Sequence, residues 1–102
     1  MVHTMTISTT KDKQALTVIL EGRLDTNTAP LLEGELRTSV NGITDLTIDM
    51  ENINYISSAG LRVLLSAQKV MKKQGSMRLV KVRPEVMEVL EVTGFSEILT
   101  IE

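Results

Sequence analysis

The sequence predicts an α/β domain on a small mixed β-sheet, an N-terminal hairpin followed by parallel strands. Three observations carry this. The apolar period alternates along the chain between two and about 3.6 residues, in the order β-β-α-β-α-β-α-(β). The first two strand-like runs are joined by a short polar link, Lys11 to Gln14, which suits a hairpin. Each later strand-like run is separated from the next by a helix-length segment, the spacing of a largely parallel sheet. A length of 102 residues gives one domain, 1–102, with no repeats or linkers. That length buries a single core without disulfides or metals.

Taken in order, "TISTT" and "ALTVILEG" (15–22) are the hairpin strands. In the second, Leu16, Val18 and Leu20 share one face, with Thr17, Ile19 and Glu21 on the other. "RLDTNTAP" interrupts the alternation. Asp25, Thr26, Asn27 and Thr28 can each cap a helix, and Pro30 suits a first turn. A helix follows over 29–40, with Leu31, Leu32 and Leu36 as its inner stripe, ended by Asn41-Gly42. "DLTIDM" is a strand with Leu46, Ile48 and Met50 alternating, and "ENINYI" leads from it into the next helix, 58–74. There Leu61, Leu64, Leu65 and Gln68 step at helical spacing, and Val63, Ala67, Val70 and Met71 widen the apolar face. Lys69, Lys72 and Lys73 load its C-terminal half, where the dipole favours positive charge, and Gly75 stops it. "SMRLVKV" alternates again, with Met77, Leu79 and Lys81 in one register. Pro84 opens a helix to Thr93, with Val86, Val89 and Leu90 inward and Gly94 as cap. "FSEILTIE" gives a helical turn and a final strand or tail, with Ile98, Leu99 and Ile101 apolar.

Composition narrows the function. The net charge is −2, and one Tyr, one Phe and no Trp leave no footprint for nucleic acid and no stacking platform. The core must be aliphatic, with six Met to help fill it. No cysteine is present, which removes disulfides, thiolate metal sites and thiol nucleophiles and suits a reducing cytoplasm. No apolar run reaches the ~18 residues of a membrane span, and no basic-then-apolar N-terminus reads as a signal peptide. The one histidine, His3, stands at the N-terminus, where chains fray. Asp12, Asp25, Asp45 and Asp49 are dispersed. Asp45 and Asp49 share a strand face without making a site. The chain is therefore expected to be no enzyme and to need neither metal nor cofactor.

The stretch "YISSAGLRVLL" (55–65) is where chemistry concentrates. Either Ser57 or Ser58 could cap the helix, a contact worth roughly 1 kcal/mol. Read functionally, a helix start offers free N–H groups and partial positive charge, which favour a phosphate on a serine placed there. A phosphoserine adds about −1.5 to −2 charges, enough to repel or desolvate against a docked partner. Ala59 and Gly60 keep the surroundings small, so a partner's backbone or a kinase loop can approach.

At this motif the sequence resembles the STAS family, the fold of bacterial anti-sigma factor antagonists. The likeness runs from "LEGRLDTNTAPLL" through "INYISSAGLRVLL" to "VTGFSEILTI", three motifs in the family's order. Gly22, Leu24, Asp25, Gly60 and Leu61 match its pattern. The resemblance implies a mixed sheet with helices mainly on one face. It also implies phosphorylation at Ser58, with Ser57 the lesser alternative, and a partner surface of Asp25, Thr26, Ser57, Ser58, Ala59, Gly60 and Arg62. Its implied partners are an anti-sigma factor that is a serine kinase and a serine phosphatase that resets the switch. Ser57 stands where the family has Asp, and Arg23 where it has Glu. The charge reversal at Arg23 fits a different partner. Asp25 and Thr26 fit either a docking loop or a helix cap, and Tyr55 either an interface or a buried strand end. A second reading is a constitutive interaction module, such as an accessory subunit of a lipid-transport ATPase complex or another signalling assembly.

Overall fold

The computed structural model describes residues 5–102; His3 lies outside them. Strands β1 (Met5–Asp12), β2 (Ala15–Leu24), β3 (Asp45–Ile56) and β4 (Ser76–Val80) form one sheet in the order β1-β2-β3-β4. The first pair is antiparallel and the other two are parallel. Helices α1 (Ala29–Ser39), α2 (Ser58–Gln74) and α3 (Pro84–Val92) fill the connections, and a 3-10 turn spans Phe95–Glu97. Past that turn, Ile101 makes a parallel bridge to Leu79 at the β4 edge. The mixed sheet expected from the sequence is therefore present.

The buried strand positions alternate onto one face: Leu16, Val18 and Leu20; Leu46, Ile48 and Met50; Met77 and Leu79. The helices cover that face and join the same aliphatic core through Leu32 and Leu36, Leu61, Leu64 and Met71, and Val86 and Leu90. The opposite face carries Thr17, Thr47, Asp45 and Arg78, with Ile19 partly exposed. Arg78 holds that face together, donating to Asp45 at 2.6 Å and Thr47 at 2.9 Å across adjacent strands.

Several element ends differ from the sequence reading. The hairpin turn shrinks to Lys13-Gln14, because Lys13 adopts φ 59° and the ladder continues to Asp12↔Ala15. Strand β2 runs on to Leu24 instead of ending at Gly22, through register shifts at Ile19/Glu21 and at Gly22/Arg23, the second where Gly22 takes a φ of 119°. Strand β4 stops at Val80, since Lys81 turns left-handed at φ 58°. The Lys81 ammonium then faces solvent 3.6 Å from Asp49 and 3.8 Å from Glu51, not the core side. Leu31 is not part of the inner stripe of α1: it is 57% exposed, and the buried seam runs Ala29, Leu32, Leu36. Val70, assigned to the apolar face of α2, is 45% exposed because it borders the open α1–α2 groove. Val89 is only partly buried.

Two contacts fix where α2 ends. The Gln74 side-chain amide donates to the carbonyls of Val40 (2.8 Å) and Ile43 (2.6 Å), closing the α1–β3 loop. Gly75 then passes directly against the backbone of Thr44. No helix among the described residues is long and apolar enough to cross a membrane.

Candidate functional site

The parallel pairing of β2 and β3 brings their C-terminal ends together. Arg23 pairs with Tyr55 and Leu24 with Ile56, and the Ser57 N–H donates to the Leu24 carbonyl at 2.9 Å. This last bond holds Ser57 extended, at φ −102° and ψ 174°, and the chain turns into α2 directly after it. Ser57 is therefore the N-cap: its Oγ accepts from the Gly60 N–H at 3.3 Å. Of the two serines that could have capped, Ser58 is released. It is the first helical residue, is exposed, and its hydroxyl has no hydrogen-bond partner among the described residues. A helix start thus presents a free hydroxyl beside free N–H groups and the positive end of a 17-residue dipole. Ser57→Ala is expected to cost about 1 kcal/mol, read as a fall in melting temperature of about 4–8 °C, with the fold intact.

Gly60 does not form part of an approachable surface. It is buried, and a Cβ there would lie 2.7 Å from Leu24 Cγ and 3.1 Å from Ile56 Cγ1. Its small size lets α2 pack onto the end of β2. Ala59 is half-buried at the rim, and Arg62 is exposed one turn on. Thr26, Ala59, Arg62 and Glu33 border a cavity of about 310 Å³ between the starts of α1 and α2. An apolar extension of about 230 Å³ continues it along Leu36, Val40 and Val63.

The second wall is the β2–α1 loop. Asp25 Oδ1 accepts from the N–H groups of Asn27 (2.9 Å) and Thr28 (3.1 Å), an Asx turn ahead of α1. The position before the helix belongs to Thr28, yet its hydroxyl makes no cap bond. It turns inward, accepting from the Asp25 N–H at 2.8 Å and donating to the Arg23 carbonyl at 2.7 Å. Thr28 is a buried polar hub that the sequence reading treated only as one of four possible caps. The Asp-x-x-Thr spacing was its signal. Thr26 stays exposed on the loop.

Arg23 links the two walls. Its guanidinium lies 4.1 Å from the centre of the Tyr55 ring, and its Nε is 3.5 Å from Asp25 Oδ2. Tyr55 is 42% exposed, so it belongs to the surface and not to a buried strand end. Partial burial alone would raise the Asp25 carboxyl. The N–H groups of Thr28 and Asn27, the Thr28 hydroxyl and Arg23 outweigh it and hold the group below its ordinary value. A depressed folded-state value means that the ionised loop stabilises the fold above the ordinary carboxylate range, about pH 4, and that this contribution is lost as pH falls through the folded value. Denaturant midpoints of Asp25→Asn are expected to show a weaker decline below about pH 4 than wild type does.

The STAS domain family model matches residues 6–102. The candidate anti-sigma factor antagonist BtrV of Bordetella bronchiseptica is 39% identical over 88 residues, covering 84% of this chain and 76% of that protein. Among solved structures, an anti-sigma factor antagonist from Mycobacterium paratuberculosis superposes with a TM-score of 0.83 at 22% identity, over 95% of this chain and 84% of that one. The Bacillus protein SpoIIAA, an anti-sigma factor antagonist, matches in its unphosphorylated form with a TM-score of 0.82 at 16% identity, over 95% of this chain and 88% of that one. Its phosphorylated form matches at 0.74 and 15%, over 95% and 91%. With a family model covering nearly its whole length and a fold that superposes on solved anti-sigma factor antagonists, the chain belongs to the STAS domain family.

Proposed function

We propose that this chain is an anti-sigma factor antagonist gated at Ser58. While Ser58 is unmodified, the surface of Asp25, Thr26, Ser57, Ser58, Ala59 and Arg62 docks a cognate anti-sigma factor, which is a serine kinase of the cytoplasm. The kinase moves the γ-phosphoryl group of ATP onto Ser58 Oγ. The hydroxyl proton leaves to a base on the kinase, and ADP departs. The new charge on a desolvated docking face ends the complex, and a serine phosphatase restores the hydroxyl by hydrolysis.

The observation that carries this reading is the division of labour between the two serines. Ser57 satisfies the helix end, so the Ser58 hydroxyl is exposed and committed to no structural bond. A structural serine would be bonded; a regulated one must be accessible. The names of the relatives support the antagonist role, and SpoIIAA is a structural relative solved in both phosphorylation states.

Phosphopeptide mass spectrometry on the protein from its native cells, growing and starved, tests the proposal. Trypsin releases residues 38–62, which hold both serines. Phosphate on Ser58 whose occupancy changes with condition is the expected result. Its absence under every condition would return the chain to a constitutive interaction module.

A further inference from the structure

We infer that Arg62 clamps a phosphoserine at position 58 within the chain, so that modification both adds charge to the docking surface and withdraws the Arg62 guanidinium from it. The inference rests on Ser58 being the phosphorylated residue. Ser58 and Arg62 stand four residues apart on α2, on one face, and both are exposed. Helical side chains lean toward the N-terminus, so the long arm of Arg62 can reach the turn that carries Ser58.

The charge pairing singles Arg62 out. The chain has five arginines. Arg23, Arg37, Arg78 and Arg83 each lie within ion-pair distance of a carboxylate: Asp25, Glu33, Asp45 and Glu85 respectively. Arg62 alone has no such partner among the described residues. The carboxylate across the groove, Glu33 of α1, is engaged by Arg37 at 3.5 Å. Asp25, in the loop beside it, is engaged by Arg23 and two backbone N–H groups. Ser57, next to the modified residue, is neutral. A phosphate at Ser58 would therefore meet one unpaired guanidinium, while the carboxylates of Asp25 and Glu33 are already ion-paired. The planar fork of arginine suits its three acceptor oxygens.

Phosphoserine placed at position 58 by genetic encoding, with the phosphate followed by ³¹P NMR against pH, tests this without a kinase or partner. The second ionisation of the phosphate is expected to lie about 0.3 unit or more lower in the protein that keeps Arg62 than in Arg62→Gln at low salt, and the gap should close in about 1 M salt. Arg62→Lys should recover part of the shift. Equal titrations with and without the Arg62→Gln substitution, with both unmodified forms melting alike, would overturn the clamp. Because the phosphate is encoded, that failure is separate from any failure to find phosphate on Ser58 in cells.

Discussion

Gly75→Ala is expected to destabilise the domain by about 4 kcal/mol or more, enough to leave much of it unfolded at 37 °C. A Cβ at Gly75 would lie 2.6 Å from the Thr44 carbonyl carbon and 2.7 Å from its Cα, and closer still to the carbonyl oxygen. These are backbone atoms, so no rotamer change relieves the clash. Nor can the backbone of Thr44 easily retreat. Its N–H donates to the Gln14 carbonyl at 2.9 Å, and its carbonyl accepts from the Ser76 N–H at 2.9 Å. Relief would have to break one of these bonds or move α2 off the Gln74 contacts to Val40 and Ile43. Urea denaturation of the variant beside wild type gives the cost directly. Gly34→Ala is the control, because a Cβ at Gly34 in α1 meets nothing within 4 Å. It should be neutral or slightly stabilising, as alanine is the better helix former by about 1 kcal/mol. A mild loss at Gly75 would mean that the α2–β4 junction gives way more readily than its bonding suggests.

Ser58→Asp is expected to weaken partner binding by roughly a hundredfold or more, with stability unchanged. The position is exposed and free of structural bonds, so the substitution has little to disturb in the fold. At the first turn of a helix an acidic residue is favourable if anything. Ser58→Ala should bind as wild type does and resist kinase inactivation. Titration calorimetry against the anti-sigma factor recovered with the wild-type chain separates the cases. A Ser58→Asp protein that binds as tightly as wild type would end the gating proposal. Loss of binding in both variants would instead show the hydroxyl itself to be a contact.

Much of this architecture was legible in the sequence because it depends on local periodicity. The bounds of α2 follow from Ser58 to Gln74 as read, and the Leu16, Val18, Leu20 and Leu46, Ile48, Met50 faces are buried as expected. What escaped is non-local. Leu31 sits one position from Leu32, and only the packing of α1 on α2 decides which of them is inside. The conflict at Gly75 is with Thr44, thirty-one residues earlier, and the role of Gly60 is set by Leu24. Neither can be seen from the glycine's own neighbours. The two serines were indistinguishable for the same reason. The ladder bond from Ser57 to Leu24 places the end of β3, and that end selects the cap. The stack of Arg23 on Tyr55 likewise needs the register of two strands some thirty residues apart.

The strand order β1-β2-β3-β4 has a kinetic consequence. Every strand pairs with its neighbour in sequence, so no pairing has to wait for a distant partner. The hairpin closes over two residues, and each later strand is joined to the sheet by a connection of about twenty. Closing loops of that length costs little more entropy than closing shorter ones. Topologies with such local pairing fold faster than sandwiches of equal size. The same order allows assembly in the direction of synthesis, each strand–helix unit adding to a finished edge as it leaves the ribosome. The β2–β3 rim that carries Ser58 would leave the ribosome ahead of β4 and α3. The part of the molecule proposed to meet a kinase is thus among the first to emerge.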